Sequence, residues 1–326
     1  MKEYPMNRIP TLFLTGTHFN PNEEELAKLT AAYPQIDFNL VESNKYSSTQ
    51  IQEAHIIVGS PRPEDLKHAT NLRWLQTQSS GVGPYTDLNI YAHKNVLLTN
   101  AKGTYGRQIA DHVLGAIIAH NHLFFTYYEQ MKNRQWKSYF PSGDLFDSTI
   151  LIIGFGDIGK NVAIRAKAHE MRTVVIKRTE SDKPSYVDEM ATMDKLDAFL
   201  PEADYVVLCA ASTDQTKHII NAQRIASLKD SAYIVNVGRG SLIDEEALIE
   251  ALENKTIGGA ALDVTEVEPL SATSKLYSLP NVFITPHSSG LSDTDPRQVF
   301  SLFFENLGRY LQSKEMMNLV DFQRKY

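Results

Sequence analysis

Two groups of residues in this chain have types and spacings that could do chemistry. The first is Gly154-Phe155-Gly156-Asp157-Ile158-Gly159, directly after the apolar run Ile150-Leu151-Ile152-Ile153. A first glycine permits a tight turn, a second lets a pyrophosphate approach the backbone, and a third lets a new helix pack closely on its strand. Free N–H groups at the helix start, with its dipole, attract phosphates. The second group is a guanidinium, a carboxylate and an imidazole, each placed after a strand-like run. Arg239 follows Val235-Asn236-Val237-Gly238, and His287 follows Phe283-Ile284-Thr285-Pro286. Glu268 comes shortly after Leu262-Asp263-Val264, in Glu266-Val267-Glu268-Pro269. Taken singly, Arg239 could be a surface base, Glu268 a turn acid before proline, and His287 a satisfied loop histidine. Strand ends on one side of a parallel sheet converge, so together they read as one cleft beside a nucleotide site.

These residues need parallel strands to carry them. Ile150 to Ile153 is a continuous apolar run, as in a strand covered on both faces. Val162, Ala163 and Ala166 then give an apolar face at helical spacing, and Thr173-Val174-Val175-Ile176 follows at the distance of a βαβ unit. Further strands are expected at 203–208, 232–237, 259–264 and 281–285, with a helix capped by Asp244. Before the glycine motif, strands at 11–14, 36–40, 56–59, 72–77 and 96–99 and a helix at 22–32 make a sheet of their own, hence a separate domain. The turn Ser79-Ser80-Gly81-Val82-Gly83 follows its fourth strand, where open α/β sheets bind ligands. A helical pattern runs from Gly106 to about Phe125. Residues 126–147 are rich in aromatic and basic side chains, as at an interdomain or subunit contact. The last amphipathic helix, about 296–312, returns to the first domain. The pattern is α/β throughout: two doubly wound parallel-sheet domains, the second inserted into the first. The expected boundaries are 1–101 with 295–326, and 102–294.

Length and composition set outer limits. A chain of 326 residues suits two domains. A net charge of −7 argues against a general nucleic-acid binder. The single cysteine, Cys209, cannot form an internal disulfide and reads as a small buried hydrophobe, which fits a reducing cytoplasm. No stretch approaches the ~20 apolar residues of a membrane span, and the polar start, residues 1–10, lacks a signal-peptide pattern.

Four phrases, in order and spacing, resemble the D-2-hydroxyacid dehydrogenase family: Gly154 to Gly159; Asn236-Val237-Gly238-Arg239-Gly240; Ala261-Leu262-Asp263-Val264 with Glu268-Pro269; and Thr285-Pro286-His287-Ser288-Ser289-Gly290. The resemblance covers nearly the whole chain. It implies a Rossmann-like cofactor domain inserted into a flavodoxin-like substrate domain, usually in a homodimer. It implies that Arg239 holds the carboxylate and 2-oxo group of a small 2-oxoacid or 2-hydroxyacid, a role suited to the guanidinium fork. His287 would be the general acid or base. Glu268 would bond the other imidazole nitrogen and raise its pKa. Backbone groups of Ser80, Gly81 and Val82 would meet the substrate carboxylate. The cofactor would be held by Gly154, Gly156, Asp157, Ile158, Gly159, Ala211, Thr216, Val237, Gly238, Arg239 and His287, with Asp263 on the nicotinamide carboxamide. No metal is implied. Asp111 stands where the family often carries glutamate.

Two departures from the family pattern matter. Arg178 lies 19 residues after Gly159, where NAD-dependent members place a ribose-binding acid; this chain has Lys177-Arg178-Thr179. Two bases and a hydroxyl suit a 2′-phosphate, so NADP is the expected cofactor, with NAD as the alternative. Ala210-Ala211 replaces a proline that many members place before the cofactor. A non-catalytic dinucleotide sensor would also keep the three site residues, but this chain lacks long tails or a basic segment. Formate-type oxidation is disfavoured, because those members carry glutamine at the position of Glu268.

Overall fold

A computed structural model describes residues 8–140 and 143–323. Parts of three sequence expectations therefore lie outside the described residues: residues 1–7 of the polar start, 141–142 of the aromatic stretch, and 324–326 of the chain end. The chain forms two compact units, Met1–Thr104 with Leu291–Tyr326, and Tyr105–Gly290.

The first unit opens with β1 (Ile9–Thr15), α1 (Glu23–Ala32), β2 (Ile36–Glu42), α2 (Ser48–Glu53) and β3 (Ile56–Val58). β4 (Trp74–Gln76) and β5 (Leu97–Thr99) complete a five-stranded parallel sheet of order β2-β1-β3-β4-β5. This is a flavodoxin-like doubly wound order, made by a chain that starts near the middle and winds both ways. Asn22 accepts from the Glu25 N–H and Glu25 returns the contact, so a capping box fixes the start of α1. β3 and β4 are fully buried, which explains the unbroken apolar run of β3, while β4 ends on the buried amide of Gln76.

The second unit begins with α3 (Gly106–Asn121) and α4 (Phe124–Lys132). The expected single helix to Phe125 is in fact two, because Leu123 adopts a left-handed φ of 57° and breaks the ladder. There follow β6 (Thr149–Ile153), α5 (Asp157–Ala168), β7 (Arg172–Lys177), β8 (Glu189–Thr192), α6 (Leu196–Phe199) and β9 (Tyr205–Leu208). α7 (Ala222–Ile225), β10 (Tyr233–Asn236), α8 (Glu245–Glu253), β11 (Gly259–Leu262) and β12 (Val282–Ile284) end it. The sheet is parallel, in the order β12-β11-β10-β9-β6-β7-β8. Strand order reverses at β6, so the glycine motif sits at the topological switch point. Leu151, Ile153, Val206, Leu208, Ile234 and Leu262 fill a core beneath it. As expected, Asp244 caps α8 through the Ala247 N–H. β8 has no apolar signature; its four residues, Glu-Met-Ala-Thr, are all half-buried at the sheet edge.

α9 (Asp295–Leu311) belongs to the first unit, with Val299, Phe303 and Leu307 buried. Phe303 packs on Trp74, Phe13 and Phe19. Cys209 is half-buried rather than fully so. Its thiol turns inward to the Gly154 carbonyl, 3.0 Å away, and burial of that group pushes its pKa up to about 12. Among the described residues, no helix is long and apolar enough to cross a membrane.

Candidate active site

His287 and Glu268 come together as expected. β12 ends at Ile284, and the next turn holds His287 at a φ of 51°, a conformation non-glycine residues rarely adopt. Asp263, just beyond β11 and 3% exposed, enforces it. Its main-chain carbonyl accepts the His287 N–H at 2.8 Å. Its carboxylate accepts from Thr285 Oγ1 at 2.6 Å, from the Ser288 N–H at 2.8 Å, from the Ser289 N–H and from Ser289 Oγ. One buried charge thus gathers donors from both sides of the histidine.

The imidazole Nδ1 lies 2.7 Å from Glu268 Oε2. The other oxygen of Glu268 accepts the Thr265 N–H at 3.2 Å, so the carboxylate is anchored at both ends. An ionised carboxylate can only accept, so Nδ1 carries hydrogen and Nε2 is the nitrogen left for chemistry. His287 is half exposed, and among the described residues Nε2 has no protein partner.

Arg239 follows β10 with its main chain extended. Asn236 Nδ2 donates to the Arg239 carbonyl at 3.0 Å, and Arg239 Nη1 donates to the Gly238 carbonyl at 2.6 Å. A Cβ on Gly240 would fall 1.9 Å from the Thr265 carbonyl. Only glycine lets the Arg239 turn lie against the Thr265–Glu268 turn. Arg239 is thereby set on the loop neighbouring Glu268.

The phosphate-binding reading rests on space and on free donors. Gly154 has a φ of +106°, and a Cβ there would meet Ala210 N at 2.6 Å. A Cβ on Gly159 would strike the Gly154 carbonyl at 2.1 Å, whereas one on Gly156 would meet nothing within 4 Å. The outer two glycines serve packing, and the middle one faces open space where a bulky anion can come close. The first helical bond runs from the Lys160 N–H to the Gly156 carbonyl, so the N–H groups of Asp157, Ile158 and Gly159 precede the ladder. Asp157 directs its carboxylate elsewhere, to the Gly106 N–H at 2.7 Å, where it caps α3. A dinucleotide fits this cradle. Around it, Thr216 Oγ1 closes the Ala211 loop by donating to the Ala211 carbonyl at 2.7 Å, a turn that needs no proline. Lys177 ends β7 with its Nζ on Ser181 Oγ at 2.6 Å, and Arg178 and Thr179 are exposed. Val237, just beyond β10, is buried, with its N–H on the Leu208 carbonyl, and Gly238 N donates to Asn236 Oδ1. Asp111 pairs with Arg165, joining α3 to α5.

In the first unit, the turn after β4 shows a consistent asymmetry. Every carbonyl from Ser79 to Val82 accepts a protein donor. Ser79 O takes Thr77 Oγ1 and the Ala101 N–H; Ser80 O takes Asn100 Nδ2; Gly81 O takes Ser79 Oγ; Val82 O takes the Tyr85 N–H. The N–H groups of Ser80, Gly81 and Val82 find no acceptor among the described residues. Three consecutive donors without a protein acceptor have the chemistry an anion site requires.

Sequence reasoning missed a second histidine–carboxylate pair. His218 Nε2 lies 3.0 Å from Glu266 Oε1, and His218 also has positive φ, 48°. The alternation Glu266-Val267-Glu268 was the only available signal, since it sends two carboxylates of one turn to two different partners.

Residues 114–289, more than half of the chain, match the D-isomer specific 2-hydroxyacid dehydrogenase, NAD binding domain. The chain belongs to this family. Similar proteins include the glyoxylate/hydroxypyruvate reductase B of Serratia proteamaculans, 33% identical over 73% of this chain and 75% of the relative. A D-isomer specific 2-hydroxyacid dehydrogenase family protein from Aeromonas salmonicida has a similar solved structure, with a TM-score of 0.86, 31% identity, and 97% and 99% of the two chains covered. A D-isomer specific 2-hydroxyacid dehydrogenase from Xanthobacter autotrophicus, solved with NADPH and MES, has a TM-score of 0.80 and 25% identity, covering 98% and 100%. The chain is accordingly an NAD(P)-dependent enzyme interconverting a 2-oxoacid and a 2-hydroxyacid.

Proposed function

We propose that this enzyme reduces a small 2-oxoacid to a D-2-hydroxyacid with NADPH, and that His287, Glu268 and Arg239 carry the reaction. The observation that carries this reading is the His287–Glu268 pair: Nδ1 held at 2.7 Å, Nε2 open, in a loop fixed by a buried carboxylate. A reduced nicotinamide, when bound, supplies the hydride. His287 Nε2 delivers its proton to the substrate's carbonyl oxygen, and Glu268 stabilises the imidazolium that stands ready to do so. Arg239 draws charge onto the same oxygen and orients the carboxylate with its planar fork. The unpaired N–H groups of Ser80, Gly81 and Val82 suit a substrate carboxylate.

Gly154, Gly156, Asp157, Ile158 and Gly159 would hold the pyrophosphate by main-chain groups, and Ala211, Thr216, Val237 and Gly238 would line its path. The Asp263 carboxylate bonds the 285–289 loop and its main chain bonds the His287 N–H and the Asn236 carbonyl, so its part beside the nicotinamide carboxamide would be to hold that loop in place. Lys177, Arg178 and Thr179 would take a 2′-phosphate. The Xanthobacter relative, solved with NADPH, and the Serratia relative, named for glyoxylate and hydroxypyruvate, agree with this choice of cofactor and substrate size. We also propose a cytoplasmic homodimer joined through the aromatic side chains of 124–146. Trp136 and Phe140 are almost fully exposed, and Phe124, Tyr128, Met131 and Phe146 more than half, which is a large apolar surface to leave in water.

Steady-state rates with glyoxylate, hydroxypyruvate, pyruvate and branched 2-oxoacids, each with NADPH and NADH, test the proposal. Turnover of glyoxylate or hydroxypyruvate with an NADPH preference is expected. Absence of turnover with every acid would overturn it.

A further inference from the structure

The amide turn at 79–83 is held from behind by polar side chains that have no part in the chemistry. Trp74 Nε1 donates to Thr99 Oγ1 at 2.7 Å, and Thr99 Oγ1 donates to Gln76 Oε1 at 2.7 Å. Asn306 Nδ2, on α9, donates to the same Gln76 oxygen at 3.3 Å. Two donors on that oxygen settle which way the buried amide points. Gln76 Nε2 must then face the other way, and it donates to the Thr77 carbonyl at 2.9 Å. Thr77, held by that bond and by its own N–H to the Thr99 carbonyl, donates its hydroxyl to Ser79 O at 3.0 Å. Trp74, Gln76, Thr99 and Asn306 are all fully buried. Asn306 is itself clamped: its Oδ1 accepts the Met317 N–H at 2.7 Å and its Nδ2 also reaches the Met317 carbonyl at 3.0 Å.

A second route leads to the next carbonyl of the same turn. Asn318 Nδ2 donates to the Lys102 carbonyl at 2.7 Å and to the Asn100 carbonyl at 3.3 Å. The Asn100 N–H returns to the Asn318 carbonyl, and the Lys102 N–H holds Asn100 Oδ1. Asn100 Nδ2, so fixed, donates to Ser80 O at 3.2 Å. Both routes begin in the segment 291–326 and end on successive carbonyls, Ser79 O and Ser80 O.

A peptide whose carbonyl is pinned cannot rotate, so its N–H direction is pinned too. We propose that Asn306 and Asn318 are positioning residues for the anion site at 80–82, and that the chain's return segment sets its affinity for the substrate carboxylate. The inference rests on the reading above that these N–H groups receive that carboxylate. Groups that bind substrate and transition state alike govern KM rather than kcat.

The test uses the full-length enzyme with glyoxylate. Asn318 has a φ of 57°, which glycine adopts freely, so Asn318→Gly removes only the side chain. Asn306→Asp keeps the acceptor for Met317 and replaces the donor facing Gln76 Oε1 with an oxygen. KM for glyoxylate should rise about 3–10-fold in the first and about 10-fold in the second, with kcat and the NADPH KM within twofold of wild type. A lowered Tm with an unchanged glyoxylate KM in Asn318→Gly would overturn the proposal, and this variant decides if Asn306→Asp does not fold. The parent reading fails separately. If wild type turns over glyoxylamide as well as glyoxylate, no group recognises the carboxylate, whatever the two variants show. Strong discrimination against the amide with unmoved KM in the variants would sink the brace alone.

Discussion

At the carboxyl end of β4 the polar groups on offer are main-chain N–H groups; beyond β10, β11 and β12 they are side chains. The two sheets share parallel architecture and strand-end chemistry, yet they fail differently. Arg239, Glu268 and His287 can each be deleted by one substitution. The N–H groups of Ser80, Gly81 and Val82 survive almost any substitution in place, and only their support can be loosened. Side-chain sites should therefore show abrupt losses, and backbone sites graded ones.

His287→Ala is the widest break in that comparison. It removes the proton donor proposed above and should lower kcat by about 10²–10⁴-fold, with NADPH still bound in a fluorescence titration. His218→Ala is the matched control. It deletes an imidazole that pairs with the neighbouring carboxylate, Glu266, through Nε2 rather than Nδ1, and kcat should stay within about threefold, since a surface pair contributes about 0–1 kcal/mol. Equal losses in the two variants would mean that pairing with a glutamate, and not the position of His287, explains the effect. Arg239→Lys comes next. Lysine keeps the charge and loses the planar fork, and kcat/KM for glyoxylate should fall about 100-fold. An unchanged value would make Arg239 a brace for its loop.

The same contrast explains what could be read from the amino-acid sequence. A charged residue after a β-branched run stands out, so Arg239, Glu268 and His287 were visible, as was the Gly154–Gly159 turn. The sheets were visible because buried parallel strands are almost wholly apolar. β8 was not, since its residues lie half-buried at an edge. The break at Leu123 was hidden because leucine carries no turn signal. The support of the amide turn was invisible for a deeper reason. Gln76, Thr99, Asn306 and Asn318 are ordinary polar residues far apart in sequence, and only the return of α9 to the first sheet brings them together. His218 was passed over because its partner, Glu266, stands beside the more conspicuous Glu268.

The cofactor edge tests side-chain recognition at an exposed site, where effects should be smaller. Arg178→Asp replaces a base with the acid that holds a ribose hydroxyl. The ratio of kcat/KM for NADPH over NADH should fall about 30- to 150-fold, equivalent to ~2–3 kcal/mol, with the glyoxylate KM little altered. Both cofactors must be compared at one ionic strength, because salt screens exposed charges. A ratio that does not move removes Lys177-Arg178-Thr179 from phosphate recognition.

The smallest expected effect concerns acid. The support of the amide turn, Trp74, Gln76, Thr99 and Asn306, holds no titratable side chain, whereas α3 in the second unit carries His112 and His120. Burial pushes the pKa of both down from the usual histidine value, with Asp263 partly opposing this at His112. In the unfolded chain these rings take up a proton near pH 6.5, while in the folded protein they remain neutral to lower pH. The unfolded state therefore binds more protons as pH falls below about 6.5, and stability is lost until the folded rings titrate as well. His120 stacks on Tyr233 with ring centroids 4.0 Å apart and planes 20° apart, so His120→Phe keeps an aromatic ring there and removes the proton. Between pH 7 and 5 the Tm of the variant should fall less than that of wild type, by about 1–2 °C for one partly exposed ring. The glyoxylate KM at pH 7 should be the same in both, because Tyr233 starts β10, at the end of that strand away from Arg239. Parallel Tm curves across that range would show that His120 does not contribute to acid sensitivity, and the comparison of the two units would then rest on His112 alone.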